Sequence, residues 1–480
     1  MRPIIVGAGP AGLTLGWLLR KLRPIILEKS SQIGGCHSVR RGPGGEFSEH
    51  GPRVYSSAYV TTAKLLREMG IEFNDLFVPY NFSPANIGGK TIAQLPFNEI
   101  FHLAVAYFWA AVRPGYYKSL SMRDFSRDFS SASIEYFDRL CRLTDGAGIE
   151  NYSVYKFLQL VNQHFGYGFY QPRRPNDKGL FKVWGDALAR EGVEIILGAD
   201  VQKLLIENGK CVGVEVGTVG GVVRGGITVG SGMTVGSGMT VGTAKYLSNT
   251  VILAIPPKRL VELCPEGSFV PGSGRSLRDW TVDNTYIDYI TISYQWNRNL
   301  GIKSKWGFPT TEWGVASVVL SDYFEGGTTL ISVGVTNVDA ENGKGQTARG
   351  SSESELIEEV FRQLKIVYPG LPRYDTAIIG SRIGDETAYI EGAADPSHLP
   401  SSGTISGLYN AGAQNGESPY SFTSMETAVV NAAGLASKLG GEPFVTASQW
   451  TLNQWILIII LAIMVAWYII GRVPEKMPVR

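Results

Sequence analysis

The chain has 480 residues, 44% hydrophobic and 18% charged, with a formal net charge of +1. That length supports a large buried core over two or three domains, and the balanced charge excludes a global field that would attract nucleic acid or other polyanions. Cys36, Cys141, Cys211 and Cys264 form no C-x-x-C pair, and His37, His50, His102, His164 and His398 form no ligand cluster, so no metal site is expected and the thiols read as buried and reduced in a cytosol-facing domain.

Three β-branched residues, Ile4 to Val6, predict a short buried strand, followed by Gly7, Gly9 and Gly12 with the G-x-G-x-x-G spacing. Gly7 suits the tight turn, Gly9 lets backbone approach a pyrophosphate, and Gly12 lets the next helix pack on the strand. Pro10 fits the first helical turn, where a missing N–H costs nothing. Leu13, Trp17 and Leu18 continue at helical spacing, and a second apolar run, Ile25 to Leu27, ends at Glu28, a strand-end acid placed to accept hydrogen bonds from ribose hydroxyls. A glycine turn in a ligand-free α/β protein has the same spacing. The strand, turn, helix, strand and acid together favour a nucleotide. With the first strand starting at Pro3, no signal or transit peptide is expected before it.

A second glycine pair, Gly34 and Gly35, exposes further backbone N–H groups, with Arg40 and Arg41 nearby to meet a phosphate. From Asn81 to Tyr170 the texture is helical and aromatic. Within it Ile100 to Val112 is too short to cross a bilayer and is expected to be a core helix. Near Gly179 the pattern returns to helix, strand and hairpin, closing with a buried strand in "TVILAIPP", Thr250 to Pro257. Between them "TVGSGM" occurs at Thr228 to Met233 and again at Thr234 to Met239, which predicts an elongated hairpin or loose loop and not a solenoid. Alternating runs from Asn284 to Val338 predict antiparallel strands, "SSESELIEEVFRQLKIVYPGL" an amphipathic helix, and "GLYNAGAQNGESPYSFTSMETAVVNAAGLA" a strand, a glycine loop and a helix from about Ser424. Last, Trp455 to Gly471 runs uncharged for about 26 Å of helix, and with Arg472, Lys476 and Arg480 beyond it a single C-terminal transmembrane helix is expected, leaving the catalytic domain facing the cytosol.

Three segments, "VGAGPAGL…LEKSSQIGG", "GADVQKL…ENGKCVGVEV…TVILAIPP" and "GLYNAGA…SMETAVVNAAGLA", occur in an order that resembles the FAD-dependent amine oxidase superfamily, which includes monoamine oxidases, phytoene-type desaturases and protoporphyrinogen oxidase. The resemblance implies an α/β Rossmann-like FAD-binding domain, a discontinuous α+β substrate domain and the C-terminal transmembrane helix. In that layout FAD-binding parts fall at 1–80, 179–260 (with an insert at 217–245) and 401–441, substrate parts at 81–178 (helical) and 261–400 (antiparallel sheet plus helix), a linker at 442–454, the membrane helix at 455–471 and a basic tail at 472–480. It further implies that Gly7, Gly9, Pro10 and Gly12 hold the FAD pyrophosphate, Glu28 the ribose, Gly34 and Gly35 the adjoining phosphate loop, and Val201 the adenine. Gly51, Pro52 and Arg53 would pass the flavin ring, and Gly412, Gln414 and Met425 would complete its far end, with a helix N-terminus at the flavin.

Two positions depart from the family: Cys36 stands where it usually has Arg, and Ala413 where it usually has Asp, a lost contact for which Gln414 or Asn415 could substitute. No cysteine in the C-terminal loop could attach the flavin, so FAD is expected to be noncovalent. Arg53, Tyr55, Lys305 and Tyr420 are candidate catalytic residues. Loop packing for Tyr420, a solvated charge for Lys305 and a local ion pair for Arg53 are their structural alternatives. The implied activity is hydride removal from a C–H bond of an amine or an isoprenoid or other lipid by a membrane-anchored enzyme. A nonredox flavoprotein of the UDP-galactopyranose mutase type and a degenerate FAD-free membrane scaffold are the alternatives.

Overall fold

The computed structural model describes residues 2–49, 54–80, 91–219, 227–228, 233–235, 239–286, 290–303, 305, 311–320, 328–381 and 389–470. At its centre is a parallel sheet ordered Leu408–Asn410, Val251–Leu253, Ile4–Val6, Ile25–Glu28, Glu194–Leu197. Val251–Leu253, Ile4–Val6 and the start of Ile25–Glu28 are short and apolar because a parallel sheet covered on both faces has no solvent side to make polar. Ile5, Ile26 and Ile252 pack against the Pro10–Leu18, Leu180–Arg190 and Met425–Lys438 helices. Alternate residues Ile4, Val6, Leu27 and Leu253 point the other way, onto an antiparallel layer containing Asp200–Glu207 and Lys210–Val219. The low-complexity insert extends that layer as a hairpin: Lys210–Val219 pairs with Met239–Leu247, and Met233–Val235 folds back on the latter.

A second, antiparallel sheet runs Val315–Val319, Thr329–Val335, Ile290–Trp296, Thr376–Ser381. The Glu353–Val367 helix covers one face, started by a reciprocal capping box between Ser352 and Glu355. On the other face Val318 and Leu330 meet Val39 and Phe47, so these strands are buried on both sides. The helical part, which includes Phe97–Val112, Ser131–Asp145 and Val154–His164, packs around Leu103, Phe137 and Phe157. Inside it Lys156 Nζ meets Asp145 Oδ2 at 2.6 Å, both side chains almost wholly buried. A three-stranded sheet of Tyr55–Ser56, Phe169–Pro172 and Phe77–Pro79 joins this part to the glycine-loop side.

Three expectations change. The Rossmann-like α/β core is present, but among the described residues no helix is long and apolar enough to cross a membrane, which overturns the C-terminal transmembrane helix. The apolar run lies in a Leu452–Ile470 helix whose first turn is committed elsewhere, the Asn453 N–H donating to Asn162 Oδ1 at 3.0 Å. What remains beyond that turn is about 22 Å of apolar helix, short of a hydrocarbon core of about 30 Å. The stretch before it is no free linker. Ala447 N–H donates to Thr61 Oγ1, Gln449 Nε2 to the Ala58 carbonyl and Trp450 N–H to Tyr167 Oη, tying it to the body. The Phe97–Val112 helix, expected in the core, buries only Glu99, Leu103, Ala106 and Ala110.

Candidate dinucleotide site

The loops that follow Ile4–Val6, Val251–Leu253 and Leu408–Asn410 leave the same carboxyl edge of the parallel sheet, where open α/β sheets bind ligands. Gly7 turns there with φ +102°, its N–H donating to the Leu27 carbonyl at 2.8 Å, and a Cβ on it would overlap the Ala254 carbonyl. Gly12 is required by packing, since its Cβ would overlap the Gly7 carbonyl oxygen. Gly9 differs from both. It has extended backbone (φ −77°, ψ −179°) that any residue adopts, and a Cβ there would meet only the Gly35 Cα, at 3.8 Å. Among the described residues nothing demands a glycine at Gly9.

Pro10 opens the helix at its first position. The second loop lies directly on the first: Gly34 N–H donates to the Ala8 carbonyl at 2.9 Å, and a Cβ on Gly35 would come within 3.1 Å of the Gly9 Cα. Glu28 is buried beneath them. Its Oε2 accepts from Ala8 N–H at 2.7 Å and its Oε1 from Ser30 N–H at 2.9 Å, which leaves acceptor capacity on each oxygen. Ala199 N–H donates to the Glu28 carbonyl at 2.8 Å and so brings the start of the Val201 strand to the same end. Val201 is buried, its carbonyl accepting from Arg259 Nη2 at 3.1 Å. Arg41 forms a two-pronged pair with Asp177.

In the last loop, Gly412 N–H donates to Asn415 Oδ1 at 2.9 Å, and a Cβ on Gly412 would overlap the Gln414 side chain. Gln414 Nε2 reaches Asn410 Oδ1 and the Ile255 carbonyl, while Asn415 Nδ2 reaches Asn410 Oδ1 and the Leu399 carbonyl. Both amides therefore brace the loop from within beside Ala413. Met425 begins the Met425–Lys438 helix, capped by Ser424, and shares a core cluster with Ala8, Ala11 and Tyr55.

Of the four candidate catalytic residues, Tyr55 lies beside the glycine loops. Its hydroxyl donates to Asn176 Oδ1 and meets His37 Nδ1, each at 3.2 Å, and His37 closes the turn begun by Gly35. Asn176 Nδ2 is buried without a partner among the described residues. Tyr420 sits in a cluster with Ala58 and Phe422, its ring 5.8 Å from Tyr59. His164 Nδ1 lies 3.2 Å from the Leu160 carbonyl, which has no proton to give, so Nδ1 carries the hydrogen and Nε2 accepts from the Tyr420 hydroxyl at 2.8 Å. Burial pushes the Tyr420 phenol well up and the His164 imidazole down, holding both neutral. Lys305 is exposed in a segment beside the second sheet, Nζ 5.7 Å above the Tyr368 ring, and its described contacts do not include the glycine loops. Gly51, Pro52 and Arg53 lie outside the described residues.

Sequence reasoning did not single out Glu426. It is fully buried, and its carboxylate accepts from Thr61 N–H at 2.8 Å and from Thr62 N–H at 2.9 Å. This is the service an N-cap side chain gives, supplied from another helix because the Val60–Glu68 helix has Tyr59 at its N-cap. An acid in the first turn of an otherwise apolar helix was the available signal.

These features define a Rossmann-type dinucleotide-binding fold carrying a helical part and an antiparallel-sheet part. Residues 5–69 match the family model of the NAD(P)-binding Rossmann-like domain. Among solved structures the chain is similar to an oxidoreductase from Methanosarcina mazei, at 16% identity over 91% of this chain and 100% of that one, with a TM-score of 0.60. It is similar to wild-type putrescine oxidase bound to putrescine, at 13% identity over 91% and 98% of the two chains (TM-score 0.60), and to a candidate protoporphyrinogen oxidase from Exiguobacterium, at 13% over 91% and 98% (TM-score 0.58). No curated protein matches the sequence. Identities this low establish a shared fold across nearly the whole chain.

Proposed function

We propose that the chain is a flavin-dependent oxidoreductase that holds FAD noncovalently and removes hydride from a C–H bond of an amine or lipid substrate. The observation that carries this reading is Gly9, a glycine that packing among the described residues does not need, set at a helix N-terminus against a second glycine loop and over a buried acid. The residues fit the cofactor. Gly7, Gly9, Gly12, Gly34 and Gly35 would hold the pyrophosphate, the remaining acceptor capacity of Glu28 the ribose, Val201 the adenine, and Gly412 and Met425 the flavin end. When bound, FAD supplies the two-electron acceptor.

The chain's own contributions are orientation, electrostatics and exclusion of water. The positive end of the Met425 helix stabilises negative charge where it points. The Tyr55–Asn176–His37 group offers polar contacts beside an apolar core cluster, and the Tyr420 hydroxyl keeps its proton and donates a hydrogen bond to His164, so it serves as a fixed dipole and not as a base. Arg53, always charged, would orient a polar substrate group. The similarity of the whole chain to oxidases supports a redox reaction over a mutase-type one.

The test is anaerobic stopped-flow spectroscopy of the purified protein with amine and lipid panels. Bleaching of the flavin by a substrate supports hydride removal. Turnover without bleaching assigns the nonredox class, and protein that stays colourless after FAD supplementation removes the flavin reading altogether.

A further inference from the structure

The Phe97–Val112 helix presents Phe97 (81% exposed), Phe101, Val105, Phe108 (64%), Trp109 and Val112 to the outside. Phe97, Phe101, Val105, Phe108 and Val112 follow one another at three- and four-residue steps with Trp109 beside them, so they form a single stripe opposite the buried Leu103, Ala106 and Ala110. Soluble monomers rarely leave a contiguous apolar patch of this kind uncovered. The helix that carries the stripe is tied to two other elements. Asn162, on the Val154–His164 helix, accepts from the Tyr107 hydroxyl at 3.1 Å and from Asn453 N–H at 3.0 Å, so one side chain joins this helix to the start of the C-terminal helix. Around that junction Val161, Phe165, Trp450 and Trp455 are exposed as well, the two tryptophan rings 5.8 Å apart.

We propose that this face seats on the surface of an anionic lipid bilayer, with the aromatic stripe at headgroup level and the helix lying along the membrane. The charge around it selects that occupant. Between Glu99 and Asp124 the sequence has Arg113, Lys118 and Arg123 and no acid, and Glu99 itself is buried, accepting from Ser130 N–H at 2.6 Å. Arg113 stands over the Trp109 ring at 5.7 Å, at the rim of the stripe. An apolar helix face with tryptophan and tyrosine at its edge and cations of one sign beside it is the composition that binds in the plane of an interface. A second copy fits worse, because a two-fold contact would set these cations against themselves without acids to pair them. The inference is independent of the cofactor reading.

The experiment is sedimentation of the full-length chain with phosphatidylcholine vesicles, with and without phosphatidylserine. Relative to the parent, F97S/F101S/F108S is expected to lose at least about 30-fold in partitioning, while its unfolding midpoint stays unchanged because all three side chains are exposed. R113Q/K118Q is expected to lose affinity for vesicles containing phosphatidylserine only, and to flatten the fall in binding with added salt. Undiminished partitioning of the triple-serine variant overturns the proposal. So does a parent chain that ignores vesicles but self-associates in sedimentation velocity through the same phenylalanines. If the triple variant fails to fold, Phe108→Ser and Arg113→Gln singly carry the same comparison.

Discussion

Gly9 and Gly12 stand three residues apart in one motif, and the structure gives them opposite reasons to be glycine. In Gly12→Ala the new methyl overlaps the Gly7 carbonyl oxygen, backbone against backbone, which no rotamer change relieves. The helix must lift from the strand, at a cost of about 3 kcal/mol, the upper end for overpacking. In Gly9→Ala the nearest atom is the Gly35 Cα at 3.8 Å and the backbone is already extended, so the fold accommodates the methyl. Loss of a favoured N-cap residue and gain from a stiffer unfolded chain roughly offset, leaving stability within about 1 kcal/mol of the parent. The methyl does occupy the space over the helix N-terminus, so FAD affinity should fall at least about tenfold, or 1.4 kcal/mol. Urea denaturation of the apoprotein and fluorescence titration with FAD separate the two quantities. Gly12→Ala is expected to lose both, Gly9→Ala only the second. A Gly9→Ala protein that binds FAD as tightly as the parent, or one whose apo form is as unstable as Gly12→Ala, would refute the reasoning.

Glu28→Ala should weaken FAD binding by about 1.5–3 kcal/mol and also destabilise the apoprotein, because the Ala8 and Ser30 N–H groups lose their buried acceptor; isothermal titration with unchanged affinity would place the ribose elsewhere. Asp145→Asn leaves the Lys156 ammonium buried without its counter-charge and should cost about 3–5 kcal/mol in chemical denaturation, whereas a loss under 1 kcal/mol would mean that water reaches Lys156. His164 has its pKa depressed by burial, so the unfolded chain takes up its proton first: its contribution to stability is complete above the ordinary imidazole value of about 6.5 and is lost as pH falls toward the depressed value. His164→Gln should therefore flatten the fall in melting temperature as pH drops below about 6.5, and an unaltered pH profile would exclude the histidine as its source. A chain ending at Gly441 removes the bonds to Thr61, Ala58, Tyr167 and Asn162 and should melt below the full chain; an equal midpoint would show those bonds contribute nothing.

The glycine loops and Glu28 were legible because their signals are short-range: a β-branched run, three glycines and an acid within one βαβ unit. The second sheet and its capped helix were legible from periodicity for the same reason. The Phe97–Val112 helix was not, because a segment apolar on nearly every side does not say which face meets the protein. That depends on where distant helices run. The 442–454 stretch looked like a linker because side-chain bonds to Thr61, Ala58 and Asn162, hundreds of residues earlier, leave no periodic trace. The C-terminal run was legible as apolar helix, but crossing a membrane needs length as well as composition, and its first turn is bonded to Asn162. Gln414 and Asn415 could be named as replacements for the missing Asp, yet only the structure shows their amides turned inward onto Asn410.

The Glu426 carboxylate that starts the Val60–Glu68 helix has a consequence for biosynthesis. Ile4–Val6 leaves the ribosome before both of its sheet neighbours, one of which, Val251–Leu253, is made about 250 residues later. Glu426 arrives later still, 365 residues after Thr61. Until then the nascent chain carries an apolar strand with an open edge and a helix whose first N–H groups lack their acceptor. At the usual pace of translation, roughly 5–20 residues per second, that interval lasts tens of seconds. Long-range closure of this kind is slow and prone to aggregation, so the nucleotide-binding half cannot mature in synthesis order and must be kept from wrong partners until Glu426 has been made.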